Sequence, residues 1–545
     1  MTTKDFEPYL ASLDMGNWKV DLQKGVYRQE PVMDSHGEIV RYKHIPACAI
    51  PVLPTALMRN VDTGYEKVEI SFKKFGKWYS IVVDRERIAS TQKIVALSNE
   101  GIEASSETSK ALVAFFADVI GHNLNAIPYK PSRASLGWYE KNFIPYTGDL
   151  TFDGDDQFRS LFKAIKSAGE LDDWVDFVSQ LRINPQLRLM IDASFASPLI
   201  QLAGENPFVF HCWGTTSFGK TVALMVAMSI WGDPSLGALT KTLNMTQNAM
   251  MKQATFLYNL PFAGDELQTI KNRWSDNFDS LIMQLTEGID RGRMTYDKVN
   301  EQRSWKCSFI TTGEEPAVKA SSGGGAKNRV IEMECRDKLV ESGNKTAAFV
   351  KTHYGTAGPV FVEAVKDMDV HALYAAKFDE IVKKTNTTDK QAGAMALIMV
   401  ADDIVTDIFF KAETPLSVDD IKQYLASDTS VSVAERAYSY ICDMVAVNVN
   451  KFKPDAVQVW GVIEGDTVYI NKTILNDLLA EKGYDFDAVK REWVNKNYMK
   501  KNKNGKYRWS KMVNSTTISC IKLSIEIDDT QTTMLDDDDD DDLPF

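Results

Sequence analysis

Residues 214–221 read Gly-Thr-Thr-Ser-Phe-Gly-Lys-Thr, and their types and spacing suit one task, the holding of a chain of phosphates. Gly214 and Gly219 let the backbone curl tightly, so that N–H groups of Thr215, Thr216, Ser217 and Phe218 can face anionic oxygens. Lys220 can neutralise the β- and γ-phosphates, and the Thr221 hydroxyl can ligate Mg2+. A helix starting here aims its positive end at the same anion. Such a pattern arises by chance in roughly one chain in fifty of this length, so its surroundings must decide. An apolar strand-length stretch, Phe208 to Trp213, precedes it; an apolar helix-length stretch, Val222 to Trp231, follows and stops at Gly232-Asp233-Pro234. Strand, loop and helix are the setting in which the pattern works. The expected ligands are ATP and Mg2+.

Phosphate chemistry needs a second carboxylate on a neighbouring strand, and "LYNLPFAGDELQ" supplies one. Asp265 would hold Mg2+ through water while Glu266 polarises an attacking water. Two features of this stretch are unusual: Gly264 stands where a branched residue is common, and Pro261 must lie at the strand's start. A third strand, "WKCSFITTGEEPA", ends at Thr312, which either senses a γ-phosphate or satisfies a turn. After the flexible "SSGGGAKN" comes Arg329, placed either to reach a neighbouring subunit's γ-phosphate or as a plain surface arginine. Between these strands, Arg291, Arg293, Lys298 and Arg303 fall in what reads as an inserted hairpin. It would track a nucleic-acid backbone or be an ordinary solvated turn.

Three strands ending in such groups require an α/β core, and the sequence alternates short apolar strands with helices through this region. At 545 residues the chain is too long for one core. Residues 1–145 read as a mixed α+β domain. In it "YEKVEISFKKFGKWYSIVV" forms two strands around Lys74-Phe75-Gly76-Lys77. "SSETSKALVAFFADVIGHN" then forms a helix capped by Ser105 or Ser106, with apolar pairs at 111/112, 115/116 and 119/120. Residues 146–345 hold the α/β core and its preceding helices, and 346–450 read as helical. In 451–527, two helices and a hairpin around Asn504-Gly505 suggest a winged helix. Residues 528–545 form an acidic tail. Its run of seven consecutive aspartates, Asp536 to Asp542, carries over half of the net charge of -13, so the body keeps room for basic surfaces. Six scattered cysteines, with no paired spacing, read as reduced thiols. There is no secretory signal and no apolar run long enough to span a membrane, so a soluble, cytoplasmic protein is expected.

Nine lysines and arginines lie between Lys490 and Lys511 against one acid, Glu492, with Trp493, Tyr498, Tyr507 and Trp509 interleaved. Lys500, Lys501, Lys503, Lys506 and Arg508 would meet phosphates, or the segment is a solvated face over core aromatics.

The order of these parts resembles the AAA+ ATPases. It resembles more closely a mobile-element and phage family first catalogued only as a domain of unknown function, some of whose members are self-loading, minichromosome-maintenance-like replicative helicases. "FHCWGTTSFGKT", "SIWGDP", "TLNMTQNAM", "DEL", "SWKCSFITTGE", the Gly-rich stretch before Arg329 and "GYDFDAVKREWVNKNYMKK" carry the likeness. The resemblance implies a homo-hexameric AAA+ ring moving on single-stranded DNA. Lys220, Thr221, Asp265, Glu266 and Thr312 would serve one subunit's nucleotide and Arg329 its neighbour's. A helicase loader, remodeler or packaging motor is the rival enzyme. A nucleotide-switched protein that occupies receptors of a host single-stranded-DNA-binding protein is the rival of another class.

The ending "DDDDDDDLPF" resembles the C-terminal tip of bacterial single-stranded-DNA-binding proteins. Phe545 would enter an apolar pocket while its carboxylate meets a cation. Pro544 would limit the freedom of the backbone beside Leu543. Host replication or repair proteins are the partners this implies; a simple solubility tail is the alternative.

Overall fold

The computed structural model describes residues 3–525 apart from 37, 147–148, 155–157, 274–277, 291–293, 296–297, 300–302, 320–321, 455 and 514–515. Three apolar clusters organise them, one drawn from residues 6–127, one from 136–421 and one from 434–525.

The first is built on sheets. Strands Trp18–Asp21, Gly25–Met33 and Ile39–Cys48 form an antiparallel meander, and a five-stranded sheet runs in the order Thr151–Phe152, Tyr129–Arg133, Val52–Asn60, Glu66–Lys74, Lys77–Asp84. The last two strands join through Phe75 and Gly76, both in the left-handed region with φ 49° and 75°, the primed turn that matches strand twist. Helix Ser109–His122 buries Leu112, Phe115, Phe116, Val119 and Ile120, the face that the apolar pairs predict. Its start departs from expectation. Thr108 occupies the cap position, and Ser105 sits one turn earlier, bonding Thr108 through side chain and backbone.

The second cluster surrounds a parallel sheet of five strands: β1 Val209–Trp213, β2 Thr240–Thr242, β3 Phe262–Asp265, β4 Phe309–Gly313 and β5 Val330–Glu334. They lie in the order β2-β3-β4-β1-β5. With helices on both faces, the strands are buried and read as apolar runs, as parallel sheets do. Four helices frame the sheet: α1 Pro185–Ala203, α2 Lys220–Met228, α3 Gln247–Leu257 and α4 Asp389–Ile408. Asn184 caps α1 by accepting from the amides of Gln186 and Leu187. Pro185 fills its first turn, and Gly204 closes it at φ 78°.

A buried charge network ties α1 to α4. Arg182 donates to Asp192 (2.5 Å), Asp402 (2.8 Å) and Glu413 (3.0 Å), while Arg188 grips Asp402 with two nitrogens at 2.7 and 2.9 Å. The side chains of Arg182, Asp192 and Asp402 are wholly buried. Burial works against the Arg182 charge, but Asp192, Asp402 and Glu413 outweigh it and push its pKa up. Burial likewise opposes ionisation of Asp402, yet Arg188 and Arg182 hold its carboxyl below the usual range.

The third cluster is a four-stranded antiparallel sheet with helices. β6 Gly461–Glu464, β7 Thr467–Asn471, β8 Arg508–Val513 and β9 Thr516–Ser524 take the order β6-β7-β9-β8. Helices α5 Val433–Val447, α6 Lys472–Glu481 and α7 Phe486–Asn495 pack on it. The hairpin differs from the sequence reading. Asn502–Gly505 is a turn closed by Asn502 N to Lys506 O (2.8 Å), and β8 pairs with β9, which follows it, not with residues 498–501. The favoured Asn-Gly turn is present, but Asn502 folds its side chain back on Asn504 and Lys506 and makes it a loop tip. No helix among the described residues is long and apolar enough to cross a membrane.

Removing one partner strands the remaining buried charges, so Asp402→Ala should lower stability by about 3–5 kcal/mol in denaturant unfolding. Asp402 ionises more readily folded than unfolded. Its contribution is therefore complete above the ordinary carboxylate pKa of about 3.9 and is lost as pH falls through the lowered folded value. Asp402→Asn should flatten the acid limb of a stability–pH curve.

Candidate nucleotide site

The phosphate-binding pattern occupies the C-terminal edge of the parallel sheet, where a loop leaves β1 and enters α2. Gly214 (φ 148°), Ser217 (φ 74°) and Gly219 (φ 80°) give the loop its curl. A Cβ on Gly214 would lie 2.8 Å from the Cys335 carbonyl oxygen, and one on Gly219 would lie 2.6 Å from the Val340 side chain. Both positions therefore need glycine on two counts. Thr215, Thr216 and Ser217 are exposed at the rim. No side chain caps α2, whose first position follows Gly219, so its leading N–H groups face the loop's concavity. The Lys220 ammonium donates to the carbonyls of Gly214 and Thr215, both at 2.7 Å.

Across the sheet, Asp265 ends β3. The Thr221 hydroxyl donates to its Oδ2 at 2.8 Å, and the Thr312 hydroxyl donates to its Oδ1. One carboxylate thus joins the first turn of α2 and the tip of β4 to β3. This corrects one expectation. The acidic strand is not the neighbour of β1, because β4 lies between them and pairs with both. Thr312, fully buried, donates to Asp265 and so supports that carboxylate. Phosphate-holding loop, magnesium-type donors Thr221 and Asp265, and an uncapped helix start make a donor set that fits a nucleoside triphosphate with its Mg2+.

Glu266 is exposed immediately beyond Asp265, in the left-handed region at φ 61°. A non-glycine residue held there is strained, and such strain gathers at functional positions. Gly264 now has a reason: a Cβ there would lie 2.4 Å from Leu243, whose side chain packs over the strand just before the carboxylate. Sequence reasoning missed Gln268, one turn beyond the acidic pair. Its buried Oε1 has no partner and lies 3.1 Å from the position of a Cβ on Gly313, at the tip of β4. The one available signal was its three-residue spacing from Asp265.

Arg329 lies at the other end of the sheet. Its carbonyl accepts from Val209 N, at the start of β1, and its guanidinium donates to Gly325 O at 2.6 Å. Loop and arginine are separated by the length of β1, about 13 Å at 3.3 Å per residue. Arg329 lines a cavity of about 370 Å³ together with Glu287 and Lys390. Burial first, and the charge of Arg329 second, push the Lys390 ammonium below its ordinary pKa. Lys390 sits 61 residues downstream, and nothing in the sequence pointed to it.

In the C-terminal unit, Lys500, Lys501, Lys503, Lys506 and Arg508 are all exposed around the 502–505 turn, with Tyr507 beneath Lys501. Lys490, Lys496 and Lys511 are paired with Asp487, Glu435 and Glu464. Trp493 is core, and Tyr498 stacks on Tyr438 at 3.9 Å. In the inserted hairpin, strands Met294–Thr295 and Lys298–Val299 pair, and Asp290 N donates to Arg303 O at the root. The expectations for Arg291, Arg293, Leu543, Pro544 and Phe545, and for the Lys298 side chain, lie outside the described residues.

A family model described as Domain of unknown function (DUF927) matches residues 18–304, more than half of the chain, and one described as Cch helix turn helix domain matches residues 432–528. No curated protein matches the sequence. Among solved structures, the active helicase Cch of SCCmec type IV is 18% identical, with 94% of this chain and 98% of that chain covered and a TM-score of 0.70. The A form of the apo NrS-1 C-terminal region is 12% identical over 87% of this chain and 96% of that one, with a TM-score of 0.32.

Because Gly264 makes room for Leu243, Gly264→Val should cost about 1–3 kcal/mol by overpacking. Adding Leu243→Ala should restore part of that loss in denaturant unfolding. A double variant no more stable than the single one would show that Leu243 is not what the glycine accommodates.

Proposed function

The chain belongs to the DUF927 family, and we propose that this member is an AAA+ ATPase that works as a DNA helicase for a mobile element. One observation carries the ATPase reading. The groups suited to hydrolysis divide between the two ends of one sheet, with Lys220, Thr221, Asp265 and Glu266 at one edge and Arg329 at the other. A single chain holds two half-sites, and a complete site needs a second copy. A closed ring of identical subunits supplies that arrangement to every member, and a hexamer is the form the family resemblance suggests.

Each residue then has a defined task. The loop amides and the Lys220 ammonium, released from the Gly214 and Thr215 carbonyls, bind and orient the phosphates. Thr221 and Asp265 would hold the Mg2+, which supplies charge neutralisation when bound. Thr312 keeps the Asp265 carboxylate aimed. Glu266, exposed and held at the strand tip, takes the proton of the attacking water. Arg329 of one subunit, with Lys390 beside it, meets the charge that develops on its neighbour's phosphate.

The fold shared with Cch, itself described as an active helicase, supports strand separation as the use of this motor. The exposed cations around Tyr507 support contact with DNA. The Leu543-Pro544-Phe545 tip would recruit host replication or repair proteins, its aspartates steering it to a basic rim.

Forked-DNA strand displacement with ATP tests the reading. Wild type should unwind. Glu266→Gln should bind nucleotide yet lose hydrolysis by at least 100-fold. Hydrolysis without displacement in the wild type would make the chain a loader or remodeler instead. Mixing inactive Lys220→Ala with inactive Arg329→Ala should restore part of the ATPase, because some interfaces then join an intact half from each; no recovery at any ratio would remove Arg329 from the neighbour's site. Deleting residues 543–545 should leave unwinding unchanged and abolish co-purification with host proteins that bind the single-stranded-DNA-binding protein tip.

A further inference from the structure

Away from the nucleotide site, a cavity of about 510 Å³ opens where the N-terminal sheet meets the α/β core. Its size falls within the ~300–1,000 Å³ of ordinary small-ligand sites. Three cations from separate parts of the chain line it: Arg133 at the end of its strand, Lys252 on α3, and Arg303 at the root of the inserted hairpin. Asp62 is the only acid among its described lining residues. Arg133 is fixed, donating to Asp62 (2.7 Å) and to the Trp138 carbonyl (2.7 Å), with its guanidinium 4.8 Å above the Tyr258 ring. Arg303 donates to Asn248 at 3.2 Å and lies 3.6 Å from Asp290. Lys252 has no ion pair among the described residues. Among the described lining residues, Lys252 is thus the cation left without an ion pair.

The other wall is aromatic. Phe158 stacks on Phe256 at 4.7 Å with 13° between the planes, and Tyr258 stands beside them at φ 53°. These walls are pre-formed. Leu136 N donates to Phe256 O and Trp138 N to the Asn259 side chain, both at 2.8 Å. Gly137 (φ 87°) approaches so closely that a Cβ there would lie 2.4 Å from Asn259 Oδ1. Cations beside flat aromatic faces recognise a nucleoside phosphate: the phosphate meets the charge and the base stacks. The site also adjoins the hairpin, since Ile289 bridges Ser304 and Asp290 N donates to Arg303 O.

We propose that this cavity holds one nucleotide of single-stranded DNA, with its phosphate against Lys252 and Arg303 and its base against Phe158 and Tyr258. The proposal rests on the DNA-motor reading above. It makes the junction between N-terminal sheet and core a second grip on the strand, distinct from the exposed cations of the C-terminal unit.

The test uses the full chain and a fluorescein-labelled dT oligonucleotide, read by anisotropy across a salt series. Lys252→Ala and Arg303→Ala should each weaken binding about five-fold and reduce the salt slope by about 0.7, the value of one phosphate contact on a single strand. DNA-free ATP hydrolysis and thermal unfolding of Lys252→Ala should match wild type. Independently of any variant, a 5-iodo-deoxyuridine oligonucleotide should photo-crosslink to Phe158 or Tyr258 of the wild-type chain. If wild type binds the oligonucleotide but both variants bind as tightly and the adducts map elsewhere, the cavity is not a strand site. Failure of wild type to bind any single strand would instead overturn the DNA-motor reading, and this site with it. If dTMP but not the oligonucleotide shields Lys252 from amine labelling, the occupant is a free nucleotide and the strand proposal falls.

Discussion

A single carboxylate holds the centre of this molecule together. Asp265 accepts one hydroxyl from Thr221 and another from Thr312, so the first turn of α2, the tip of β4 and the end of β3 meet at one buried point. Parallel strands are joined only by long crossovers, and their tips have no turn to align them. A shared acceptor does that alignment at the edge where chemistry is possible. One strand over, the buried His211 on β1 bonds Thr311 on β4 through Nδ1 at 2.9 Å and the Glu315 carbonyl through Nε2 at 2.9 Å. These contacts hold β4 to β1 on one side, as the Asp265–Thr312 bond holds it to β3 on the other. The loop of β1 and the acid pair of β3 can therefore face one ligand although their strands never touch.

What lies behind that edge is a rigid frame. The guanidiniums of Arg182 and Arg188 converge on Asp402 and join α1 to α4, and the Leu416 amide satisfies the second carboxylate oxygen. Charges so deeply buried are costly unless every partner is in place, which makes the network a constraint on register more than a source of net stability. Tryptophans extend the frame. Trp174 donates to Ser229 and Trp231 to Ser194, both at 2.9 Å, pinning α1 and the end of α2 to each other and to the preceding helices.

The sequence revealed what is encoded locally. The loop's glycines, the primed turn at Phe75-Gly76, the apolar face of Ser109–His122 and the acid pair all sit in short windows where residue type and spacing carry the physics. Relations between distant segments were not legible. Chain order does not give sheet order, so the insertion of β4 between β1 and β3 was invisible, and with it the commitment of Thr312 to Asp265. Gly264 looked like a departure because its neighbour Leu243 is 21 residues away. Lys390 and Arg329 are brought together only by the fold. The Asn504-Gly505 turn misled for a different reason: a favoured turn sequence says that the chain reverses, but not that the flanking residues pair.

The same geometry gives the proposed strand site a physical route to the nucleotide. Phe256 and Tyr258 line the cavity, and the chain runs from them through Asn259 and the buried Leu260 directly into β3, which ends at Asp265 and Glu266. Arg303 and Ser304 lead in the same way through the buried Trp305 and Cys307 into β4, which ends at Thr312. Both strands that meet at Asp265 thus begin at the cavity walls. Each spans only about 10–13 Å and is buried throughout, and close-packed interiors pass on displacement because they have little room to absorb it. A nucleotide wedged between Lys252 and the aromatic wall would press on the starting ends of β3 and β4 together. The two strands share Asp265 at their far ends, so any unequal shift strains the Thr312 and Thr221 bonds first. That makes the hydroxyl–carboxylate pair the point where the proposed strand site would act on the proposed nucleotide site.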